Sequence, residues 1–357
     1  MALSIGIVGL PNVGKSTLFN ALTDGDVLAA NYPFATIEPN TGIVPIPDER
    51  IEKLAALYKT EKIVPATVTF VDIAGLVAGA SSGEGLGNQF LTHIRSSNAV
   101  AHIVRAFSDE NVASSGTSDP KKDIEIINTE LVLADLQTLD KRLPRIEKES
   151  RADAKLRPVF NSYQQAKAHL EAGEPLWTAE DLDLQHLQDL QLITSKSVIY
   201  VFNVDEQTLA DNTKKEELSS LVRPSKAIFV AAKIESELRG LDKSDQQELL
   251  ASYGQKESGL TQVIHAAYAT LGLQSFLTAG EKEVRAWTIP VGATAPQAAG
   301  AIHSDFERGF IAAQVVDYND LIGTGSEAAA RAAGKIRTEG KTYIMQPNDV
   351  VEFRFNV

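Results

Sequence analysis

The sequence contains no cysteine. This absence excludes disulfide bonds, thiolate metal sites, iron–sulfur ligation and cysteine nucleophiles. Aromatic residues make up only 6% of the 357 residues, and they do not alternate with basic residues in the pattern of a base-stacking surface. We therefore expect no sequence-specific readout of single-stranded nucleic acid.

Long apolar runs are also absent. No stretch of about 18 apolar residues occurs, so the sequence predicts no transmembrane helix and no membrane partner. Residues 1–6 lack the basic region and cleavage site of a signal peptide, which favours a cytoplasmic location. The formal charge of −13 would repel nucleic acid over most of the surface, so any RNA contact requires a local basic patch.

The order of apolar segments predicts an α/β fold. Strand-like runs alternate with helical patterns, which indicates a mostly parallel sheet, at 3–8, 67–72, 99–107, 198–203 and 227–231. Residues 122–195 interrupt this alternation with helical periodicity: a long helix ended or kinked near Pro144, then helices around 159–172 and 179–194. From 275 onward short strands predominate. We predict a nucleotide-binding domain over 1–121 and 196–274, an inserted helical hairpin over 122–195, and a small α+β domain over 275–357.

A phosphate-binding loop carries the strongest functional signal. Residues 9–16 match G-x-x-x-x-G-K-S directly after a predicted strand and before a predicted helix. In such a loop, backbone N–H groups and the helix N-terminus hold phosphate oxygens, and the lysine neutralises the β and γ phosphates. The alternative is a chance glycine turn. We assign Lys15 as the catalytic residue and predict these nucleotide contacts: Asn12, Val13, Gly14, Lys15, Ser16 and Thr17.

Three oxygen-bearing side chains form the predicted Mg²⁺ site. The Ser16 hydroxyl follows the loop lysine, and Asp72 ends a strand in the pattern D-x-x-G, whose Gly75 N–H would sense the γ-phosphate. Thr36 lies in the loop 31–40 and is the predicted second hydroxyl ligand, although Pro33 and Pro39 also fit an ordinary turn there.

The predicted base-reading segment departs from the guanine pattern. Guanine-specific enzymes use Asn-Lys-x-Asp at a strand end, whereas this sequence has Asn203, Val204 and Glu206 at the corresponding positions. Because the longer Glu206 cannot place its carboxylate where the aspartate would pair with guanine, we predict a preference for ATP. Ala231 and Ala232 are expected to contact the base through their backbone amides. Alternatively, Asn203 caps the strand and Asp205 starts a helix.

These motifs resemble the YchF-type Obg-like ATPases over essentially the whole chain. The resemblance rests on the phosphate-binding loop and on the segments 31–40, 46–51, 124–131, 340–343 and 353–357. It implies a translation-factor-class P-loop NTPase domain, an inserted helical domain and a C-terminal TGS domain of β-grasp type. It also implies ATP preference through an Asn-x-x-Glu motif, association with ribosomes, and links to translation and stress responses.

The resemblance bears on catalysis in three ways. Leu76 stands where Ras-like enzymes carry a water-orienting glutamine, and this fits the family. Many family members have a histidine in the loop that here spans 111–119, but this loop has none, and Ser114 stands near its place. Ser114 has no predicted partner that would make it a base. His102 lies within an apolar strand and is expected in the core. The resemblance further implies a K⁺ ion beside Asn12, unless Asn12 only stabilises the loop.

A local basic cluster is the predicted ribosome contact. Between 141 and 157 there are seven basic residues and three acidic ones (Lys141, Arg142, Arg145, Lys148, Arg151, Lys155, Arg157; Glu147, Glu149, Asp153). The plainer interpretation is a solvated helix face with internal ion pairs. A weaker second candidate comprises Arg331, Lys335, Arg337 and Lys341.

The sequence thus predicts a Mg²⁺-dependent ATPase with slow turnover that acts as a switch on the translation machinery. Two alternatives stay open. One is a GTPase of the same fold, and the other is a nucleotide-sensing, ribosome-binding module in which hydrolysis is incidental.

Overall fold

A computed structural model of the chain describes residues 3–23, 41–73, 86–107 and 119–356. The chain divides into two compact units. The first comprises Met1–Ile43 and Thr69–Leu271, and the second comprises Val44–Val68 and Gly272–Val357. No helix within the described ranges has the length and apolar character needed to cross a membrane.

The strands of the described residues are β1 (Ser4–Val8), β2 (Thr41–Pro45), β3 (Ile63–Val64), β4 (Thr67–Asp72), β5 (Ala99–Ala106), β6 (Val198–Val204), β7 (Lys226–Val230), β8 (Leu273–Ala279), β9 (Val284–Pro290), β10 (Phe310–Asp317), β11 (Arg337–Glu339) and β12 (Asp349–Phe355). The α-helices are α1 (Lys15–Thr23), α2 (Glu49–Tyr58), α3 (Leu86–Ser96), α4 (Pro120–Ala152), α5 (Arg157–Glu171), α6 (Glu206–Ala210), α7 (Asn212–Ser220), α8 (Ala232–Leu238), α9 (Lys243–Ser252), α10 (Gly259–Thr270), α11 (Ala295–Ile302), α12 (Ser304–Arg308), α13 (Tyr318–Thr324) and α14 (Glu327–Ala332).

The nucleotide-binding fold is built on one six-stranded sheet with the order β2-β4-β1-β5-β6-β7. Strands β4, β1, β5, β6 and β7 are mutually parallel, as the alternation of strands and helices predicts. Central strand side chains such as Ile5, Ile7 and Phe202 are fully buried, which is typical of a sheet covered on both faces. Since the strands are parallel, their carboxyl ends share one edge, and ligands of such sheets bind at that edge.

The helical insertion differs in detail from its prediction. Helix α4 does not end at Pro144 but runs over 33 residues in all, from Pro120 to Ala152. The apolar stripe on both sides of this proline, including Leu139 and Ile146, packs into one core with α5, and this burial offsets the backbone hydrogen bond that proline removes. The predicted helix over 179–194 is instead the 3₁₀ helix Leu184–Leu190. Leu187 and Leu190 are three residues apart, which suits a three-residue turn.

A buried carboxylate fixes the insertion to the strand that follows it. Asp135 in α4 is fully buried and accepts hydrogen bonds from Ile193 N (2.9 Å), Thr194 N (2.7 Å) and Thr194 Oγ1 (2.7 Å). Burial raises the pKa of this carboxyl, and the three hydrogen bonds oppose the shift. Nearby, the Arg95 guanidinium donates to Ala134 O (3.2 Å) and to the Thr138 hydroxyl (2.9 Å). The start of β6 is therefore held in a defined position.

The second unit contains a mixed six-stranded sheet with the order β11-β10-β12-β8-β9-β3. Neighbours β8 and β9 are antiparallel, as are β10 and β12, whereas β12 and β8 are parallel. Helix α11 contributes Ala295, Ala298 and Ala299 to a core shared with Phe276 and Val351 of the sheet. A helix packed across a mixed sheet is the expected β-grasp arrangement.

The predicted division of the chain placed residues 44–68 in the nucleotide-binding domain, whereas the structure groups them with the second unit. Strand β3 pairs in parallel with β9, and Arg50 of α2 donates to Pro347 O (2.5 Å) and Asn348 Oδ1 (3.1 Å). Arg50 is oriented by Asp48, which accepts from its Nη2 at 2.7 Å. Pairings this distant in sequence leave no local pattern. The structure also groups residues 122–195 with the nucleotide-binding strands in one unit.

Candidate nucleotide-binding site

The phosphate-binding loop occupies the expected turn between β1 and α1. Asn12 has a left-handed backbone with φ of 62° and an exposed side chain, and Gly14 has φ of +103°. Val13 is buried beneath the loop. Helix α1 begins at Lys15, so its free N–H groups face the region enclosed by the loop.

Gly14 is required for steric as well as conformational reasons. A Cβ at this position would lie 2.6 Å from Asn203 Nδ2, well inside contact distance. The same Asn203 amide donates to Val13 O at 3.1 Å, so the end of β6 is bound directly to the loop. Asn203 therefore positions the phosphate-binding loop, a role that its place in a base-reading motif does not indicate.

Lys15, Ser16 and Asp72 form one electrostatic group. Lys15 is buried, and its ammonium donates to Leu10 O at 2.7 Å. Burial lowers the pKa of Lys15, and the charge of Asp72 opposes that shift. Burial raises the pKa of Asp72, opposed by the charge of Lys15 and by a hydrogen bond from the Ser16 side chain. Each charge stabilises the other, and both lose water that a bound nucleotide and cation would replace.

The carboxylate of Asp72 retains an unused acceptor. Its Oδ1 is buried and has no hydrogen-bond partner within the described part of the chain. A buried carboxylate oxygen without a partner is costly, and together with the neighbouring Ser16 hydroxyl it offers the oxygen ligands that Mg²⁺ prefers. These residues therefore fit a Mg²⁺ ion.

The base-reading segment combines both sequence interpretations. Asp205 caps α6 by accepting from Thr208 N (2.7 Å), as the alternative interpretation states, while Asn203 reaches the loop instead of capping the strand. The Glu206 carboxylate forms an ion pair with Lys233, with Oε1 and Nζ 2.5 Å apart. In this arrangement the Glu206 carboxylate is already paired with the ammonium of Lys233. Val204 is buried, so its side chain lies in the core.

A cavity of about 340 Å³ adjoins the loop. Four of its lining residues were predicted from the sequence: Gly14, Thr17, Asn203 and Ala232. Other predicted contacts, including Val204, Glu206 and Ala231, are not among the lining residues. Ala231 is buried and immediately precedes α8.

Three polar residues in or directly after α8 that also line this cavity are not predicted from the sequence: Glu235, Ser236 and Arg239. They follow Ala232 at i+3, i+4 and i+7, so the face of a helix starting at the Ala-Ala-Lys segment was the available signal. Glu235 is buried and accepts from Gly259 N at 2.7 Å, which ties α8 to the start of α10. Burial raises the pKa of Glu235, and hydrogen bonds from Gly259 and Leu260 oppose the shift.

His102 is a core residue, as expected. It is buried in β5 with its ring centroid 5.0 Å from that of Tyr200, and burial, with a smaller contribution from Lys15, lowers its pKa to about 3. Several predicted positions lie outside the described residues: Thr36 and the loop 31–40, Gly75, Leu76 and Ser114.

The basic cluster near the α4–α5 turn is partly neutralised. Arg145 pairs with Glu149 (2.8 Å) and Arg151 with Glu147 (2.6 Å), as in the plainer interpretation. The remaining five residues form no ion pair with any residue that the structure describes; we call them the basic tip, and they are Lys141, Arg142, Lys148, Lys155 and Arg157. In the second candidate patch, three residues are paired, Arg331 with Glu327, Lys335 with Asp320 and Arg337 with Glu339.

Two family models match the chain. A model described as a 50S ribosome-binding GTPase matches residues 4–136, and a YchF C-terminal model described as a protein of unknown function matches 273–356. A protein of Bacillus subtilis named ribosome-binding ATPase YchF is 50% identical over 366 residues, covering 100% of both chains. The chain belongs to the YchF family. A protein of the same name from Escherichia coli O157:H7 is 47% identical, again over 100% of both chains.

Solved structures agree with this family. The YchF GTPase of Schizosaccharomyces pombe is 36% identical with a TM-score of 0.85, over 99% of this chain and 97% of that one. A GTP-binding protein from Pyrococcus horikoshii has a TM-score of 0.61 at 20% identity, over 99% of this chain and 100% of that one, and shares the fold. The bacterial YchF proteins are named ATPases, whereas the Schizosaccharomyces pombe protein is named a GTPase. The choice between adenine and guanine is therefore the central functional question.

Proposed function

We propose that this YchF-family chain is a Mg²⁺-dependent ATPase that acts as a nucleotide-controlled switch on the ribosome. The observation that carries the chemistry is the group of buried Lys15, the Ser16 hydroxyl and Asp72, in which the buried Oδ1 of Asp72 has no hydrogen-bond partner among the described residues. The names of the bacterial relatives support ATP as the nucleotide and the ribosome as the partner. A ribosome-bound protein acts in the cytoplasm.

In this proposal Lys15 is the catalytic residue. Its ammonium, which donates to Leu10 O here, would turn to the β and γ phosphates and stabilise the charge that develops during hydrolysis. Ser16, Thr36 and Asp72 would hold Mg²⁺, which supplies further charge neutralisation when bound. The backbone amides from Asn12 to Thr17 would bind the phosphates, and the Gly75 N–H would donate a hydrogen bond to the γ-phosphate when it is present.

Glu206 is the proposed determinant of base choice. The Glu206 side chain is one methylene longer than the aspartate of the guanine pattern, and it is directed to Lys233, with Oε1 and Nζ 2.5 Å apart. Its oxygens are therefore not placed to accept from the two guanine N–H groups. The site then lacks the contact that distinguishes guanine. Asn203 and Ala232 line the cavity and would contact the base, with Asn203 also holding the loop, whereas the buried Val204 and Ala231 would contribute backbone atoms only.

Hydrolysis is proposed to be slow. A histidine with a pKa of about 3 is a weak base, so His102 does not replace the histidine missing from the loop 111–119. Leu76 cannot orient water. A K⁺ ion beside Asn12 would supply additional charge stabilisation, and equal turnover in KCl and NaCl at fixed ionic strength would exclude it.

The basic tip is the proposed contact with ribosomal RNA. Its five cations are unpaired within the described residues, and they gather at the turn of a helical hairpin in a chain whose net charge is −13. Phosphate contacts of this kind position a protein on RNA without reading sequence. A long hairpin also places the cations away from the acidic surface that would oppose binding.

Asp72→Asn tests the proposed chemistry. We expect wild-type protein to bind ATP more tightly with Mg²⁺ than with EDTA, and the variant to lose most of this difference, measured by equilibrium titration with a fluorescent ATP analogue. Asp140→Asn, an exposed carboxylate paired with Lys167, is the matched control and should behave as wild type. An Asp72→Asn variant with full Mg²⁺ dependence would contradict the proposal.

A further inference from the structure

The second unit carries a groove of about 650 Å³ on its mixed sheet. Its walls include four aromatic side chains from four different elements, namely Tyr58 of α2, Trp287 of β9, Phe306 of α12 and Phe353 of β12. A volume of this size is in the range of ligand-binding clefts. The groove lies wholly within the second unit, so it is separate from the nucleotide cavity.

The aromatic walls are fixed by contacts within the unit. Trp287 Nε1 donates to the Thr278 hydroxyl at 2.9 Å, which sets the plane of the indole. Phe306 stacks on Phe355 with ring centroids 3.7 Å apart, and Phe353 meets Phe276 edge-on at 5.7 Å. A ligand would therefore meet walls that need little reordering, which reduces the entropic cost of binding.

Among the described residues that line the groove, all of the charged ones are glutamates: Glu281, Glu283, Glu327 and Glu352. Two of them already have cationic partners, since Glu283 pairs with Lys62 (2.6 Å) and Glu327 with Arg331 (2.9 Å). Glu281 and Glu352 form no ion pair with any residue in the described ranges. The groove thus holds two uncompensated negative charges beside aromatic faces.

The charges of two glutamates act on Tyr58, one of the aromatic residues of the groove. Burial, followed by the charges of Glu327 and Glu352, raises the pKa of the Tyr58 hydroxyl. A neighbouring recess of about 40 Å³ shares Tyr58, Glu327 and Glu352 with the groove, and Arg331 lines it. On the same sheet the Arg285 guanidinium lies 3.9 Å from the centre of the Trp287 ring, without lining the groove. Cations on this surface therefore already use its carboxylates and its indole.

We propose that this groove binds an arginine-bearing segment of a partner protein. A guanidinium is planar, stacks on aromatic rings and pairs with carboxylates through two parallel N–H donors, so it matches both components of the wall. The two unpaired glutamates would repel the phosphates of RNA, so the charge of the groove favours a cationic polypeptide over nucleic acid. The groove volume of about 650 Å³ exceeds that of one guanidinium group, which favours a polypeptide segment over a single free cation.

The test uses the full-length protein and capped glycine peptides carrying two arginines, with a citrulline peptide as the uncharged isostere. We expect the arginine peptide to bind in calorimetric titration and the citrulline peptide to bind at least about tenfold more weakly, because it loses the cation–π and ion-pair contacts. The double variant Glu281→Gln with Glu352→Gln should weaken the arginine peptide by a similar factor. Glu248→Gln in α9 is the control for lost negative charge and should leave binding unchanged.

Several results would overturn the proposal. Equal affinity for the arginine and citrulline peptides would remove the charge argument, and undiminished binding by the double variant would remove the site. Argininamide or spermidine binding as tightly as the peptide would show that the occupant is a small cation. Direct binding of labelled single-stranded RNA to the protein without peptide, strengthened by the double variant because two negative charges are lost, would show that the groove takes nucleic acid.

Discussion

Replacement of Gly14 by alanine tests the contact between the phosphate-binding loop and Asn203. The added Cβ would lie 2.6 Å from Asn203 Nδ2, at a backbone φ of +103°. Backbone strain for a non-glycine residue in this region costs about 1–3 kcal/mol. Relief of the contact requires Asn203 to move, which breaks its 3.1 Å hydrogen bond to Val13 O and costs about 0.5–1.5 kcal/mol more. We expect the free energy of unfolding to fall by about 2–4 kcal/mol.

Urea denaturation without nucleotide measures this penalty, and Gly173→Ala is the matched control. Gly173 has φ of +84°, but a Cβ there would meet nothing within 4 Å, so the control carries the backbone strain alone. Asn203→Ala completes the comparison. The double variant should be less destabilised than the sum of the two single variants by about 1 kcal/mol, since the hydrogen bond to Val13 is lost only once. The proposed contact between the loop and Asn203 would be wrong if Gly14→Ala and Gly173→Ala lowered the free energy of unfolding equally and the Gly14→Ala and Asn203→Ala effects were additive.

Three further predictions concern stability and partner binding. Asp135→Ala should lower the free energy of unfolding by about 3 kcal/mol, because two buried N–H groups lose their acceptor. The control Asp140→Ala, at an exposed carboxylate, should lower it by under about 1 kcal/mol. Similar losses in the two variants would contradict the prediction for Asp135. His102 takes up a proton in the unfolded chain below pH 6.5 but in the folded chain only near its pKa of about 3. Stability should therefore fall with pH below 6.5, by about 2 kcal/mol at pH 5, and His102→Phe should remove that loss in urea titrations at pH 7 and 5. Replacing four of the five basic-tip residues by glutamine should weaken ribosome co-sedimentation and flatten its salt dependence. The same change at Lys214, Lys215, Lys226 and Lys256 should do neither, and equal effects of the two sets would exclude the basic tip as the ribosome contact.

The sequence predicts the sheet because its signals are local. Five strands of the first sheet are apolar runs such as 4–8 or 198–204, and the loop motif places Gly14 and Lys15 between a strand and a helix. Strand β2 (Thr41–Pro45) is not among the predicted strands. The ion pair of Glu206 with Lys233 and the reach of Asn203 to Val13 join residues far apart or on different elements, so no spacing rule reveals them.

The incorrect predictions have equally specific causes. Local sterics at Pro144 predict a helix that ends or kinks there, and only the helix end is wrong, because burial of the apolar stripe on either side stabilises the continuous helix. The transfer of residues 44–68 to the second unit depends on pairing of β3 with β9, across more than two hundred residues of sequence. The aromatic groove combines side chains from four elements, and no single segment predicts it.

Equilibrium binding of ATP and GTP, both with Mg²⁺, tests the central claim most directly. The measurement compares wild-type protein with Glu206→Asp, and with Glu237→Asp on α8 as the control for shortening an exposed glutamate. We expect the wild type to prefer ATP and Glu206→Asp to shift the ratio of dissociation constants towards GTP by about tenfold or more, whereas the control should leave the ratio unchanged. A wild-type preference for GTP would contradict the assignment of this chain as an ATPase.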